Sequence, residues 1–243
     1  MWIKICGNTN LADAQLAADA GADAVGFVFA ASPRQIAPEA AARITPHLPP
    51  ALEKYGVFVD ADFESIVRTV ELAGLNGVQL HAAPAAGLAR RLRAHFAGRP
   101  LRIVQVLHYD ADTARFAAQL QALHAQQELD AVLIDSRTAT QVGGTGIAFD
   151  WQAARATLQR EGSALRWIAA GGLRPENVAE AIATLHPWGV DVASGVESQP
   201  GKKDSARVAE FLRAARAAAA ILVSNPPATP VYAHSDGRKG ASQ

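Results

Sequence analysis

Short apolar runs alternate along the chain with longer stretches of mixed polarity. The runs are WIKIC (2–6), AVGFVF (24–29), KYGVFV (54–59), GVQLH (77–81), RIVQVL (102–107), AVLID (131–135), RWIAAG (166–171) and GVDVAS (189–194). They are short and nearly continuous, the texture of strands buried on both faces. Between them lie Ala- and Leu-rich stretches with helical spacing, such as LADAQLAADA (11–20) and ESIVRTVELAG (64–74). Three strand starts resemble one another: Ala20-Gly21-Ala22-Asp23-Ala24-Val25, Ala73-Gly74-Leu75-Asn76-Gly77-Val78 and Leu129-Asp130-Ala131-Val132. In the first two a glycine follows the helix, where a left-handed residue turns the chain back.

Strands that alternate with helices at a period of roughly 25–30 residues predict βαβ units and a parallel sheet. Eight such units in about 220 residues fit a closed (β/α)₈ TIM barrel. An open doubly wound sheet would carry a Gly-rich dinucleotide fingerprint after its first strand, and Gly7-Asn8-Thr9-Asn10 is not one. The last helix is expected to end near Val223, giving a barrel domain over 1–223. The remaining SNPPATPVYAHSDGRKGASQ (224–243) is polar, rich in Pro and Gly and aperiodic, so it reads as a disordered tail with Tyr232 and His234 solvated.

Composition narrows the setting. The 243 residues carry formal net charge zero, which offers no electrostatic case for nucleic acid or an anionic membrane as partner. One cysteine excludes an intrachain disulfide and suits a reducing compartment. The N-terminus lacks the long apolar segment of a signal peptide, and no apolar run approaches the roughly 20 residues of a membrane span. A soluble cytoplasmic protein is expected.

Barrels of this kind build their sites from the loops at the C-terminal ends of the strands. That rule selects Cys6, the Ser32-Pro33-Arg34 loop, Asp60, His81, His108, Asp135, Gly171-Gly172 and Ser194-Gly195. Cys6 is either a small buried hydrophobe or a thiolate base or nucleophile, which needs cationic neighbours or a helix N-terminus. Asp135 is either a capping residue or a catalytic acid. The next helix is expected near Asp150, some distance on, which weakens capping. Cys6 and Asp135 lie on well-separated strands and could face each other across the mouth, an acid and a base suited to isomerisation. Glycine turns follow strand 6 (Gly143-Gly144-Thr145-Gly146), strand 7 (Gly171-Gly172) and strand 8 (Ser194-Gly195). Their backbone N–H groups could cradle a phosphate, the last two at the usual barrel position. Arg34 is either solvated or a planar fork for a carboxylate.

Taken together, Lys4-Ile5-Cys6-Gly7, Gly21-Ala22-Asp23-Ala24-Val25-Gly26-Phe27-Val28-Phe29, Ser32-Pro33-Arg34, Gly56-Val57-Phe58-Val59, Val78-Gln79-Leu80-His81, Gly143-Gly144-Thr145-Gly146, Ala170-Gly171-Gly172-Leu173, Val190-Asp191-Val192-Ala193-Ser194-Gly195-Val196-Glu197 and Pro200-Gly201-Lys202-Lys203-Asp204 resemble the phosphoribosylanthranilate isomerases. The motifs fall in family order over about residues 2–216. The resemblance implies an Amadori rearrangement in tryptophan biosynthesis, on a small-molecule substrate, without cofactor or metal, by a monomer or homodimer. It implies Asp135 as general acid, Cys6 as general base and Arg34 as the anchor of the anthranilate carboxylate. Gly144, Gly171, Gly172, Ser194 and Gly195 would hold the phosphate, with His81 and Asp191 near the substrate. The chain departs from the family at Ala30-Ala31, at Gln35 where an aromatic is frequent, and at Ala82 in place of a usual glycine.

Strand alternation adds one expectation. Trp2, Lys4 and Cys6 share a face, so an inward Cys6 brings an inward Lys4, and a buried ammonium needs a partner. Barrel closure makes strand 8 the neighbour of strand 1, which nominates Asp191. Lys4 then either favours the Cys6 thiolate or serves structure alone.

Two other enzyme types fit less well. Indoleglycerol-phosphate synthases would want catalytic lysines at the mouth, and the histidine-pathway aldose isomerase an aspartate where Cys6 stands. The remaining alternatives are a related sugar-phosphate isomerase and an inactive barrel kept as a binding scaffold, against which Cys6, Asp135 and Arg34 argue.

Overall fold

The computed structural model describes residues 1–81, 87–109, 112–124, 128–135, 151–161 and 166–224. Eight parallel strands close into a barrel in chain order: β1 (Trp2–Ile5), β2 (Ala24–Val28), β3 (Glu53–Val59), β4 (Gly77–His81), β5 (Arg102–His108), β6 (Ala131–Asp135), β7 (Trp167–Ala170) and β8 (Gly189–Val192). β1 pairs with β8 from Trp2 opposite Gly189 to Ile5 opposite Val192, and with β2 at Lys4 opposite Ala24, so the barrel has no open edge. The helices α1 (Leu11–Asp19), α2 (Pro38–Ile44), α3 (Phe63–Leu72), α4 (Leu88–His95), α5 (Thr113–His124), α6 (Trp151–Glu161), α7 (Val178–Leu185) and α8 (Ser205–Ser224) each follow one strand. The (β/α)₈ barrel expected from the sequence is the observed architecture. Helix α8 ends at Ser224, one residue past the expected end. The rest of the expected tail, 225–243, lies outside the described residues, as does the glycine turn of 143–146.

Alternation along the strands sorts side chains into two cores. Ile3, Ile5, Val25, Phe27, Val78, Leu80, Val132, Ile134, Val190 and Val192 belong to the cluster that also holds the helix faces. Trp2, Ala24, Tyr55, Val104, Val106, Ala131, Leu133, Ile168 and Ala170 form the second, inside the barrel. The same alternation turns Lys4 and Cys6 inward after Trp2, Asp135 inward after Leu133, and Asp191 inward between Val190 and Val192. At the N-terminal end Trp2 stacks on Trp188 with centroids 5.3 Å apart and meets Tyr55 edge-on at 5.7 Å. Glu53 accepts from Trp2 Nε1 at 3.2 Å and from the Tyr55 hydroxyl at 3.0 Å, so this end is a packed and satisfied plug.

The three similar strand starts have a common mechanical reason. Asp23 Oδ2 accepts the Ile3 N–H at 2.7 Å, Asn76 Oδ1 the Lys54 N–H at 2.6 Å, and Asp130 Oδ2 the Ile103 N–H at 2.6 Å. Each acceptor stands just before an even-numbered strand and satisfies a donor of the odd-numbered strand before it, as a buried backbone N–H requires. Arg216 holds Asp23 at 2.7 Å, and Arg93 holds Asp130. A short antiparallel hairpin, β9 (Glu197–Gln199) and β10 (Lys202–Lys203), follows β8. The apolar pattern does not announce it; a Pro200-Gly201 turn is its sequence signal.

Candidate active site

The C-terminal ends of the strands surround a cavity of about 250 Å³. Cys6, Arg34, His81, Asp135, Gly171, Gly172, Asp191 and Ser194 all line it, so residues from six of the eight strands and their loops converge on one space. Gly195 lies one residue behind Ser194, and Gly144 falls outside the described residues. Asp60 and His108, also selected by position, are exposed and do not line the cavity. The His108 ring nevertheless stands 5.9 Å from that of His81.

Cys6 continues β1, and its N–H still donates to the Val192 carbonyl at 2.8 Å. Its thiol is buried. A Cβ built on Gly26 would stand 2.7 Å from Sγ and 2.9 Å from Lys4 Cε, so the bare backbone of β2 makes the room these two side chains occupy. The sequence reading did not single out Gly26, although a glycine inside a strand is a signal of close approach.

Lys4 lies one inward position below. Its Nζ donates to Asp191 Oδ1 at 2.9 Å and to Gln79 Oε1 at 2.8 Å. The partner expected from barrel closure is therefore the observed one, with Gln79 joining from β4. Burial pushes the Lys4 ammonium down, but the Asp191 carboxylate and Cys6 more than offset it, and its pKa is raised. Lys4 is a cation at any ordinary pH. Since Gln79 Oε1 faces Lys4, its Nε2 faces His81 and donates to the ring Nε2 at 3.0 Å. In a neutral ring the proton is then on Nδ1. A polar chain Asp191–Lys4–Gln79–His81 thus crosses the barrel, with Asp191, Gln79 and His81 lining the cavity.

Burial pushes the Cys6 thiol up; Lys4 pulls it back, Asp191 adds to the rise and Lys203 pulls back again, with a net upward shift. Of the two roles left open for Lys4, the charge pulls toward the thiolate without cancelling desolvation. Asp135 closes β6, opposite His108 on β5 and Ala170 on β7, and is buried at 4% exposure. Helix α6 begins only at Trp151, so Asp135 is not the cap of that helix.

Arg34 is set by a turn in which Ser32 Oγ accepts its N–H at 3.1 Å. It is not simply solvated. Its Nε donates to Glu197 Oε1 at 2.8 Å and its Nη2 to Glu197 Oε2 at 2.6 Å, a two-pronged pair with the hairpin. Lys203 Nζ donates to the same carboxylate at 3.0 Å and to the backbone carbonyls of Cys6 at 2.6 Å and Ala193 at 3.2 Å. Burial pushes Glu197 up, but Arg34 and Lys203 outweigh it and hold the carboxyl below its usual range. No role was assigned to Glu197 or Lys203 from the sequence; charged residues flanking a Pro-Gly turn were the available hint.

Gly171 and Gly172 adopt φ of 85° and 64°, two consecutive left-handed residues. Side chains strain at such angles, so this tight turn at the cavity rim suits glycine. Gly195 serves close approach instead: a Cβ there would stand 1.9 Å from the Leu173 carbonyl oxygen, so the loops after β7 and β8 touch backbone to backbone.

Comparison with known proteins agrees with this geometry. The family described as N-(5'phosphoribosyl)anthranilate (PRA) isomerase matches residues 3–214. An N-(5'-phosphoribosyl)anthranilate isomerase of Geobacter sp. (strain M21) is 44% identical over 218 residues, 88% of this chain and 97% of the relative. The crystal structure of phosphoribosyl anthranilate isomerase from Thermotoga maritima superposes with a TM-score of 0.76 at 37% identity, covering 89% of this chain and 99% of that one. A structure of such an enzyme in complex with reduced 1-(o-carboxyphenylamino)-1-deoxyribulose 5-phosphate gives 0.72 at 34% identity, with the same coverage. A closed eight-stranded barrel, a mouth lined by a thiol and a carboxylate, and relatives that match from end to end place this chain in the N-(5'-phosphoribosyl)anthranilate isomerase family.

Proposed function

We infer that the protein converts N-(5-phosphoribosyl)anthranilate to 1-(2-carboxyphenylamino)-1-deoxyribulose 5-phosphate, the isomerisation of tryptophan biosynthesis. The observation that carries the reading is the convergence of Cys6 and Asp135, both buried and inward, on one cavity rimmed by the glycine turn after β7.

In the proposed mechanism Asp135 gives a proton to the furanose ring oxygen as the C1′–O bond breaks. The nitrogen lone pair forms the C1′=N bond of a Schiff base. The Cys6 thiolate then takes the C2′ proton; the released pair forms C1′=C2′, and the C=N pair returns to nitrogen. The enolamine tautomerises, C1′ gaining a proton and the C2′ hydroxyl losing one, to the ketone. Protons are exchanged without net gain or loss, as an isomerisation requires. Arg34 faces the aromatic carboxylate, and the turns at Gly171-Gly172 and Ser194-Gly195 face the phosphate. His81 and Asp191 border the sugar between them. No helix among the described residues is long and apolar enough to cross a membrane. A reducing cytoplasm would keep the lone Cys6 a free thiol, in a monomer or homodimer.

Turnover of phosphoribosylanthranilate by the purified chain is the direct test. Product formation is expected; a folded protein that binds the substrate without converting it would leave the barrel a ligand-binding scaffold. The phosphate assignment has its own test in Gly195→Ala. The added methyl must separate two backbones, so affinity for the reduced product analogue should fall at least about tenfold, with overpacking costing about 1–3 kcal/mol of stability. Calorimetry and thermal melts read the two effects. Unchanged affinity for both the analogue and inorganic phosphate would remove this loop from the phosphate site.

A further inference from the structure

The acid–base scheme uses nothing from the β9–β10 hairpin, yet the hairpin's charged groups run directly into the site. Glu197 occupies the Nε–Nη2 edge of the Arg34 guanidinium with two bonds of 2.8 and 2.6 Å. A guanidinium has five N–H donors in a fixed plane, so this grip leaves Nη1 and the second Nη2 hydrogen for another acceptor. Arg34 lines the cavity, and its stem crosses Gly7, where a Cβ would meet Arg34 Cδ at 2.6 Å. The anchor therefore lies against the residue that follows Cys6.

Lys203 explains how Glu197 is itself held. Its side chain has no solvent exposure, and a buried ammonium persists only with several acceptors. The three it has are the Glu197 carboxylate, the Cys6 carbonyl and the Ala193 carbonyl. The last of these directly precedes the Ser194-Gly195 turn. The Lys203 N–H also donates to Asp13 Oδ2 at 2.9 Å, which fastens the hairpin to α1. One ammonium thus joins the end of β1, the end of β8 and the carboxylate that grips Arg34.

We propose that Glu197 and Lys203 are positioning residues for the aromatic end of the substrate: Glu197 presets the Arg34 fork for the substrate carboxylate, and Lys203 locks Glu197 to the backbone that presents Cys6. The proposal rests on Arg34 as the carboxylate anchor. A long side chain that is already ordered loses less rotamer freedom when it binds, and its placement relative to the base is set before the ligand arrives.

A purely structural clasp would weaken all ligands alike, so the test compares two. They are the reduced product analogue and the same compound without its aromatic carboxylate, titrated calorimetrically into wild type, Arg34→Met, Glu197→Gln, Glu197→Asp, Lys203→Met and Lys203→Arg. Glu197→Gln should weaken the carboxylate-bearing ligand by about tenfold and the other by less than about twofold. Its turnover should show KM rising more than kcat falls. Glu197→Asp keeps the charge with a shorter reach and should lose part of the discrimination, which serves if the glutamine variant folds poorly. Lys203→Met should lose discrimination and lower kcat, with Lys203→Arg restoring part of both. If Arg34→Met discriminates between the ligands but Glu197→Gln and Glu197→Asp weaken both equally, the hairpin is only structural and the proposal is overturned. If Lys203→Met keeps full discrimination, its half of the proposal is overturned. If Arg34→Met itself does not discriminate, the carboxylate reading of Arg34 fails first.

Discussion

Replacing Cys6 by serine is expected to lower kcat by about 10²–10⁴-fold, and Asp135→Asn by a similar factor, the span of a single general acid or base. Both substitutions keep size and hydrogen bonding, so the folded barrel and its affinity for the reduced product analogue should survive. A serine hydroxyl cannot ionise in this setting, and an amide has no acidic proton to give. The wild-type pH profile carries the same prediction with a sign. In the proposed mechanism the base is the thiolate, and burial holds the Cys6 thiol above its ordinary value. Below that raised pKa each pH unit multiplies the thiolate fraction tenfold. On the limb governed by the free enzyme's base, kcat/KM should therefore climb through neutral pH and level off only beyond the ordinary thiol range. Cys6→Ser should lose this limb along with the rate. Near-normal kcat in a folded Cys6→Ser protein would remove the thiol from the mechanism.

What could be read from the chain depended on the range of each interaction. The barrel was legible because its signals are local: short, nearly continuous apolar runs, helical stretches between them, and a similar run of residues at three strand starts. Asp23, Asn76 and Asp130 turned out to repeat for a hydrogen-bonding reason that similarity alone did not reveal. The candidate site was legible in outline because the barrel rule maps strand ends to one face, where Cys6, His81, Asp135 and Asp191 meet. The Lys4–Asp191 pair was within reach for a topological reason: closure makes β8 the neighbour of β1, and alternation turns both residues inward. Gln79 was not, because it reaches Lys4 across the barrel interior rather than along a sheet ladder. Glu197 escaped for the same kind of reason. It meets Arg34 across 163 positions of sequence through a hairpin too short to leave a hydrophobic pattern.

Lys4→Met is expected to destabilise the fold by about 3–5 kcal/mol, because Asp191 is left buried without its cation. Both groups are almost wholly enclosed, with side chains 1% and 8% exposed, so solvent screens the lost charge poorly. The same change should move the Cys6 thiol further up. Lys4 pulls that pKa down and Asp191 pushes it up, so removing Lys4 leaves burial and the carboxylate acting against the thiolate, with Lys203 still pulling the other way. The rising limb of kcat/KM should shift to higher pH, and activity at neutral pH should fall. Cys6 is the sole cysteine of the chain, so the pH dependence of its alkylation rate reports this one thiol without ambiguity. The double variant Lys4→Met/Asp191→Asn separates the two roles of Lys4. Removing both charges should restore much of the stability, as replacing a whole buried pair often does, and bring the thiol partly back down because the opposing carboxylate is gone. Alkylation that titrates identically in wild type and in folded Lys4→Met would reduce Lys4 to a counter-charge for Asp191, with no hand in the base.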